Sequence, residues 1–370
     1  MELEVNRTEL LNVLQKTQTI IEKKSTMPIL SHVLLQADED LKIIATDLEL
    51  KIESICPAKV IQKGEIAIPG TKLYEITRLF SSESVYLKEK ENYWVDIKGG
   101  RAFFSLASLP AEDFPTFPQT GHLKTVSISA NQLRKLIIKT QFSMAREIDE
   151  TNKELAGIYF EKVSLDQPKV RLVSSDGYRL TYIEAPLPDL DVFQFEKGII
   201  IPKKAVIEIL HLTEEKGPLE IGFDETVGIV KTKNNSLFIR LLDKKFPYYE
   251  SYIPKAHKCE ATVPKDGLKE ILKRMLTIIT TKNKAAKFLF SPSKLLVQVD
   301  NSEIGMAMED IEIEYNSEPF QIIFNTSFLL DVLNVMESPM VHLGLNKEDG
   351  CVLTGEEDLG FKALIMPIVG

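Results

Sequence analysis

The chain runs three times through the same order of predicted elements, and this internal repeat constrains its fold more than any single residue. Each copy begins with a helix, continues through alternating strands that break at an Asp or Asn, adds a second helix, and closes with an apolar strand that runs into proline. The closing prolines are Pro115, Pro247 and Pro367. A period of roughly 120 residues is too long for a solenoid unit, so each copy is predicted to be a domain with its own core.

We therefore predict three domains, at 1–121, 122–254 and 255–370, each of ordinary size. The first helices of the copies are predicted at Arg7–Ile21, Asn131–Phe142 and Lys265–Ile279, and the second helices follow Ile68, Ile201 and Phe324. Strand segments such as 41–55 alternate apolar and polar residues, which predicts half-buried antiparallel strands. The pattern indicates an α+β fold with two helices on one side of antiparallel sheets in each domain.

Composition limits where the protein works and what its surface can bind. The chain has no apolar run of about 18 residues and no signal peptide. Its three cysteines, Cys56, Cys259 and Cys351, are widely scattered, which favours reduced thiols in the cytoplasm and argues against disulfides or thiolate metal sites. Lys and Arg number 45 against 54 Asp and Glu, a net charge of −9. Such an acidic protein should bind nucleic acid only through a local concentration of positive charge.

Positive charge is concentrated on the predicted helices of the second and third copies. The candidate residues for phosphate contact are Arg134, Lys135, Lys139, Arg146, Lys203, Lys204, Lys269, Lys273 and Arg274. On a helical wheel, Lys135 and Lys139 lie opposite the apolar stripe, as Lys16 does in the first copy. For any one helix, a solvated outer face is the ordinary explanation. Recurrence in an acidic chain favours sequence-independent binding to a phosphate backbone.

The repeat count allows a geometric estimate of what these helices could surround. If two chains closed head to tail, twelve helices could line the inside of a ring. At ~8–10 Å between helix axes, and allowing ~10 Å for one helix diameter, the opening would be roughly 20–28 Å, about the width of duplex DNA.

Eight segments spread over the whole chain carry a resemblance to a known family. They are MPILSHVLL (27–35), ATDLEL (45–50), FSLASLPAEDFP (104–115), TQFSMA (140–145), SSDGYRL (174–180), IIIPKKAVIEIL (199–210), LLDKKFPYYESYIP (241–254) and LLDVLNVM (329–336). In this order they resemble the bacterial replicative sliding clamps, the β subunits of DNA polymerase III. The resemblance implies the DNA clamp fold, closed as a head-to-tail homodimeric ring that encircles double-stranded DNA for processive synthesis. It implies no cofactor and no membrane.

The same resemblance implies partners that dock through short linear peptides: the polymerase III catalytic subunit, the clamp loader, and other polymerases or repair proteins. The matching pocket positions are Leu155, Ser175, Gly177, Tyr178, Arg179, Leu180, Pro247, Tyr252, Asn325, Phe328, Leu364, Met366, Pro367 and Ile368. Aliphatic and aromatic side chains of this kind can receive apolar anchors of an extended peptide. A plain Asp-Gly hairpin turn in SSDGYRL and an ordinary last strand in LIMP remain the alternative interpretations.

Two departures from the family pattern concern charge at this pocket. The chain ends MPIVG, with Val369 and Gly370 where many relatives have Arg-Leu, and Asn152 stands where some relatives have arginine. Both departures remove positive charge from the rim. We therefore expect acidic groups in partner peptides to matter less here.

The resemblance also implies where two chains would meet and one further DNA contact. Domain 1 of one chain would join domain 3 of the other, with apolar contacts inside a border of charge pairs. The seam residues are Lys72, Arg101, Phe104, Leu106, Ile278, Ile279, Glu303 and Glu309. Lys24 matches a basic position that contacts DNA in relatives. An intradomain core position is the alternative for Ile279, because it lies on the apolar stripe of its predicted helix.

Two other classes of function compete with a clamp. A nucleic-acid enzyme is disfavoured because GCVLTGEE (350–357) lacks the Lys-Ser/Thr of a phosphate loop, and the sequence has no GxGxxG, HExxH or GxSxG. We therefore predict a processivity factor without a catalytic site. The remaining alternative is a repeat scaffold, or an accessory subunit of an enzyme, that does not encircle DNA.

Overall fold

The computed structural model describes residues 1–22, 26–146, 150–164, 167–215, 217–279 and 284–368. Within these ranges the chain has six α-helices, two for each sequence repeat, as predicted. They are α1 (Arg7–Thr17), α2 (Gly70–Leu79), α3 (Ala130–Ile138), α4 (Lys203–Leu212), α5 (Lys265–Leu276) and α6 (Thr326–Val335). None of the described helices combines the length and the apolar character needed to cross a membrane.

The first helix of every repeat ends earlier than its hydrophobic pattern predicts, and a threonine marks each end. The hydroxyls of Thr17, Thr140 and Thr277 each donate a hydrogen bond to the carbonyl three residues before, at 2.7, 3.2 and 2.7 Å. A side chain that bonds to the last turn in this way competes with continuation of the helix. As a result, Lys139 and Ile278 follow their helices instead of belonging to them.

The chain folds into two compact units, residues 1–130, 191–195 and 207–241, and residues 131–190, 196–206 and 242–370. The first unit holds two antiparallel sheets. The smaller has the strand order β5-β1-β7-β8-β9, with β1 (Glu2–Asn6), β5 (Ala58–Gln62), β7 (Ser84–Glu89), β8 (Trp94–Gly99) and β9 (Ala102–Ala107). The larger has the order β10-β6-β2-β3-β4-β18-β17-β16-β11, with β2 (His32–Ala37), β3 (Leu41–Thr46), β4 (Leu50–Cys56), β6 (Gly64–Pro69), β10 (Leu109–Pro110), β11 (Val126–Ser129), β16 (Pro218–Phe223), β17 (Val227–Lys231) and β18 (Asn235–Arg240).

The second unit also holds two antiparallel sheets. One has the order β15-β12-β13-β14-β26-β25-β24-β19, with β12 (Gly157–Ser164), β13 (Pro168–Ser175), β14 (Arg179–Pro186), β15 (Gly198–Pro202), β19 (Cys259–Pro264), β24 (Met340–Asn346), β25 (Gly350–Thr354) and β26 (Phe361–Ile365). The other has the order β22-β21-β20-β23, with β20 (Ala285–Ser291), β21 (Lys294–Asn301), β22 (Gly305–Glu312) and β23 (Phe320–Asn325). Strands of the predicted domain 122–254 thus belong to large sheets of both units.

Helix pairs cover these sheets. In the first unit α1 packs on α2 and also contacts β1 of the smaller sheet and β3 and β4 of the larger one. In the second unit α5 packs on α6 in the same way, against β19, β21 and β22. The apolar stripe of α5 is buried as predicted, with Leu268, Ile271, Leu272 and Met275 inside.

The three repeats share one turn, at the positions where the strand patterns break. The side-chain Oδ1 atoms of Asp47, Asp176 and Asn301 each accept hydrogen bonds from the backbone N–H groups two and three residues later, at 2.7 to 3.3 Å. Asp and Asn favour such turns because their short side chains reach the local backbone. The turn after β13 positions the candidate site.

Candidate functional site

A cavity of about 250 Å³ lies in the second unit. Nine of the fourteen predicted docking residues line it, namely Leu155, Ser175, Gly177, Arg179, Leu180, Pro247, Tyr252, Leu364 and Met366. They come from the 3₁₀ segment that ends at Leu155, from the end of β13 and the turn after it, from β14, from the segment that follows residue 241, and from β26 and the residue after it. One site therefore draws on the second and third sequence repeats.

The other five predicted docking residues are not part of the cavity lining, although two of them contact it. Tyr178 is exposed, and its carbonyl accepts a hydrogen bond from the Met366 N–H at 2.9 Å. The Phe328 ring centroid lies 4.3 Å from Cζ of Arg179. The remaining three are Asn325, which caps α6, and Pro367 with Ile368, which follow Met366.

The floor of the cavity is a cross-strand pair. Leu180 on β14 lies directly opposite Leu364 on β26, and both are buried with Val173, Tyr249 and Val352. Aliphatic side chains at this pair make the floor apolar. Such a surface can bury an aliphatic or aromatic anchor of a ligand.

One wall is aromatic, and it contains two residues that the sequence analysis missed. Phe246 stacks on Tyr159 with ring centroids 4.9 Å apart, and Tyr249 meets both rings edge-on. A short 3₁₀ turn, Tyr249–Tyr252, brings Tyr249 and Tyr252 to the same side because residues three apart align in this geometry. The i, i+3 tyrosine spacing in YYESY was the signal that could have identified Tyr249.

Arg179 is held in place at the cavity edge by three groups of its own chain. Its Nε donates to Asp176 at 3.0 Å, its Nη1 donates to Asp331 at 2.6 Å, and its Nη2 donates to the carbonyl of Phe142. The guanidinium also lies over Phe328. These contacts make Arg179 a rigid part of the wall.

A second arginine lies behind the aromatic wall among three glutamates. Arg171 donates to Glu184 at 2.6 and 2.8 Å, to Glu161 at 3.1 Å and to Glu250 at 3.0 Å. It also contacts the Tyr249 hydroxyl at 2.5 Å, and that hydroxyl donates to Glu161. Burial lowers the pKa of Arg171, but its hydrogen bonds to Tyr249 and Glu184 outweigh this effect and raise it. Burial raises the pKa of Glu161.

The predicted DNA-contact residues fall into several environments. Arg146, Lys135, Lys273 and Arg274 are exposed, whereas Arg134, Lys203, Lys204 and Lys269 are half-buried. Three of the exposed cations form salt bridges, Lys135 with Glu337 and Lys273 with Glu270, at 2.9 and 2.7 Å, and Arg274 with Glu309. Lys24 lies outside the described residues.

Lys139 contradicts its prediction as a phosphate contact, because its side chain is only 2% exposed. It follows the end of α3, where the helical-wheel argument no longer applies, and its ammonium group donates to Asp358. Asp358 also accepts from the Ser338 hydroxyl at 2.7 Å and from the Glu337 and Ser338 N–H groups, both at 3.0 Å. Burial opposes ionisation of Asp358, but these hydrogen bonds hold its pKa at about 2. Lys139 is therefore part of a buried ion pair.

The predicted seam residues are also placed by the structure. Phe104 on β9 is 42% exposed beside Phe80, and Leu106, Ile278 and Ile279 are half-buried. Lys72 pairs with Glu75 at 2.9 Å, and Arg101 and Glu303 are exposed.

Arg274 and Glu309, predicted to lie on two different surfaces, bind each other. Arg274 donates to Glu309 through two hydrogen bonds, at 2.6 and 2.8 Å. This contact raises the pKa of Arg274 and lowers that of Glu309. The predicted DNA-facing and seam-facing surfaces therefore meet at this pair.

The described residues also include possible metal ligands. No group of three or more His, Cys, Asp or Glu residues among them converges in a way that could hold a metal ion. Cys56, Cys259 and Cys351 are buried free thiols.

Comparison with known proteins identifies the family. The models for the N-terminal, central and C-terminal domains of the DNA polymerase III beta subunit match residues 1–118, 127–248 and 250–369. The chain belongs to the DNA polymerase III beta subunit family. The resemblance carried by the eight sequence segments is thereby confirmed.

Relatives of similar length agree with this assignment. The chain is 32% identical to the beta sliding clamp of Caulobacter vibrioides and 30% identical to that of Pseudomonas aeruginosa, and each alignment covers 100% of both chains. Among solved structures, it is similar to the DNA polymerase sliding clamp from Caulobacter crescentus, with a TM-score of 0.94 and 30% identity over 100% of both chains. The Pseudomonas aeruginosa beta subunit gives a TM-score of 0.92 at 27% identity, again over 100% of both chains. The predicted clamp fold and sliding-clamp function are confirmed.

Proposed function

We propose that two copies of this chain close head to tail into a ring around duplex DNA, and that the ring tethers a polymerase and other partners without catalysing a reaction. The main support for ring closure is a pair of edge strands, each with one side that no strand of its own sheet covers. β9 is the last strand of its sheet and exposes Phe103 and Phe104, and β22 is the first strand of its sheet and exposes Met306 and Met308. Pairing β9 of one copy with β22 of the next would satisfy both edges and bury these apolar side chains.

The exposed cations support a sequence-independent grip on DNA. Lys135, Lys273 and Arg274 engage acids in surface salt bridges, which water and salt screen strongly. A DNA phosphate can therefore compete for them at little cost. Arg146 is a further exposed candidate, and Lys139 is excluded by its burial.

The test of encirclement depends on DNA topology. The ring, loaded by its ATP-driven loader onto nicked circular DNA, should be retained through gel filtration and lost after the circle is cut by a restriction enzyme. A scaffold or ordinary DNA-binding protein would show the same retention on both DNA forms, and that result would refute the proposal.

The test of the seam is the double variant Ile278→Ala plus Ile279→Ala, which should give monomers by light scattering. Ile61→Ala is a matched control, because Ile61 is an exposed isoleucine on β5, at the opposite end of the sheet from β9. A double variant that remains dimeric would show that the two isoleucines do not hold the seam.

The 250 Å³ cavity is proposed to receive apolar anchors of extended peptides from partner proteins. Its buried floor and aromatic wall support this role. A fluorescent peptide with two adjacent large apolar residues should bind in an anisotropy titration, and a peptide with alanine at both positions should not. Equal binding of the two peptides would exclude the cavity as the anchor site.

A further inference from the structure

We propose that the cavity selects peptides in which a positively charged residue flanks the apolar anchors. This inference deepens the proposed docking function and rests on it. The cavity would bind a peptide with a flanking lysine or arginine more tightly than the same peptide with a flanking acid.

Carboxylates outnumber cations in the clusters of Arg179, which lines the cavity, and of Arg171, which lies behind its aromatic wall. Arg179 is paired with Asp176 and Asp331. Arg171 is paired with three glutamates, Glu161, Glu184 and Glu250. Lys169 adds one cation at 3.9 Å from Glu184. The two clusters alone therefore hold five carboxylates and three cations.

Both arginines already bind carboxylates of their own chain. Each guanidinium nitrogen of Arg179 donates one hydrogen bond, to Asp176, Asp331 and the Phe142 carbonyl, and its plane lies over Phe328. An acidic ligand would have to displace an internal carboxylate that is already well placed. Displacement of a formed charged hydrogen bond offers little net gain.

Two of the carboxylates remain open to solvent and can accept a new cation. The Asp331 side chain is 41% exposed and the Glu250 side chain is 51% exposed. Each carboxylate has more acceptor sites than its one arginine contact uses. A lysine or arginine of a bound peptide could therefore bind either one without breaking the existing pair.

Exposed tyrosines flank Glu250 and favour the same ligand charge. Tyr248 and Tyr252 are 72% and 62% exposed, and Tyr252 lines the cavity. A cation near an aromatic face is attracted by the ring electrons. Carboxylate and ring together form a surface suited to a peptide lysine or arginine beside the anchor.

The experiment compares two fluorescent peptides that share length and apolar anchors and differ by Lys or Glu at one flanking position. In anisotropy titrations with the full chain at low salt, the Lys peptide should bind about 3- to 10-fold more tightly, and added salt should shrink the difference. Glu250→Gln and Asp331→Asn should each reduce the preference. Glu348→Gln, an exposed acid in a hairpin turn of the same unit, should leave it unchanged.

The outcomes separate this inference from the docking function. Equal binding of the two peptides would overturn the charge preference and leave the apolar cavity intact as the site. Tighter binding of the Glu peptide would also overturn it, and would point to the exposed Lys244 and Lys245 just before Phe246. Failure of both peptides to bind would refute the docking function itself. Thermal unfolding of each variant checks that its fold is retained.

Discussion

In the first unit β4 pairs with β18, and in the second unit β14 pairs with β26, so in both places the closing strand of one repeat extends the sheet of the repeat before it. We call the β4–β18 pairing the first junction and the β14–β26 pairing the second junction. The two have the same backbone arrangement but different side chains. At the first junction Lys51 lies opposite Phe238, whereas at the second junction Leu180 lies opposite Leu364.

These side chains differ in how much of one face of each junction they cover. The Lys51 ammonium lies 3.9 Å from the Phe238 ring centroid, and the Phe117 ring adjoins Phe238 at 6.3 Å. A long cation and two aromatic rings therefore cover the first junction, whereas two leucines at the second leave about 250 Å³ empty. We infer that the difference in side-chain volume on a repeated backbone accounts for the cavity on this face of the second junction.

The polar contacts that fasten the junctions differ as well. At the first, Lys16 donates to Glu215 at 2.5 Å, Asn235 donates to Glu215 at 2.6 Å, and Ser54 donates to Asn235 at 2.6 Å. The Lys16 and Glu215 side chains are partly exposed. At the second, the Lys139–Asp358 pair is buried. Burial makes the loss of one partner much more costly at the second junction.

The largest expected effect is therefore on stability. Asp358→Ala should lower the free energy of unfolding by about 3 kcal/mol, because the buried Lys139 ammonium loses its close partner and keeps only the Glu337 carboxylate, 3.6 Å away. Glu215→Ala should cost less, about 1 to 2 kcal/mol, because water can solvate Lys16 and the buried Asn235 amide keeps Thr232 as an acceptor. Urea unfolding followed by hydrogen exchange would assign each loss to its unit.

The double variant Lys139→Met plus Asp358→Asn provides the control for this comparison. It removes both charges and keeps similar volumes, so it should be less destabilising than Asp358→Ala alone. Equal losses for Asp358→Ala and Glu215→Ala would show that burial does not distinguish the two junctions.

The next expected effect is a pH dependence of the free energy of unfolding that comes from Asp358 at the second junction. The pKa of Asp358 is about 2 in the folded chain, below its ordinary value of 3.8, so the unfolded chain takes up this proton first as the pH falls. Its stabilisation, about 2 kcal/mol, is fully present above pH ~4 and is lost as the pH falls toward 2. The difference in unfolding free energy between the unaltered chain and Asp358→Asn should shrink over that range. A difference that stays constant would contradict the assignment.

Repetition and periodicity predicted most of the fold because they depend on local patterns. The helix pairs, the α+β class and the breaks at Asp47, Asp176 and Asn301 all follow from spacing along the chain. The site was harder to predict. Lys139 was misassigned because a threonine hydroxyl ends α3 one residue earlier, and Asp358, more than 200 residues away, supplies its partner. Long-range pairing of this kind leaves no periodic signal in a sequence.

A smaller effect should follow from exchanging side chains between the junctions. Leu364→Phe gives the second junction the bulk of the first, so it should weaken binding of an apolar-anchor peptide by about tenfold, roughly 1.4 kcal/mol. The matched variant Phe238→Leu should open space at the first junction without creating a peptide site, because Lys51 and Phe117 remain. Anisotropy titrations of both variants with the apolar-anchor peptide measure the change in affinity. Undiminished binding by Leu364→Phe would mean that the anchor sits elsewhere.

The smallest expected effect concerns the shared turn, which holds Leu48 at φ 75° in the first unit and Gly177 at φ 86° in the second. A left-handed backbone costs a residue with a Cβ about 1 kcal/mol or more, and an added Cβ at Gly177 meets no atom within 4 Å. Gly177→Ala should therefore lower the free energy of unfolding by about 1 kcal/mol through backbone strain alone. Leu48→Gly relieves the same strain but makes the unfolded chain more flexible, so the net change should be within about 0.5 kcal/mol. Urea unfolding of both variants measures these changes. If Gly177→Ala leaves the free energy of unfolding unchanged while Leu48→Gly raises it, the two turns do not share one backbone conformation.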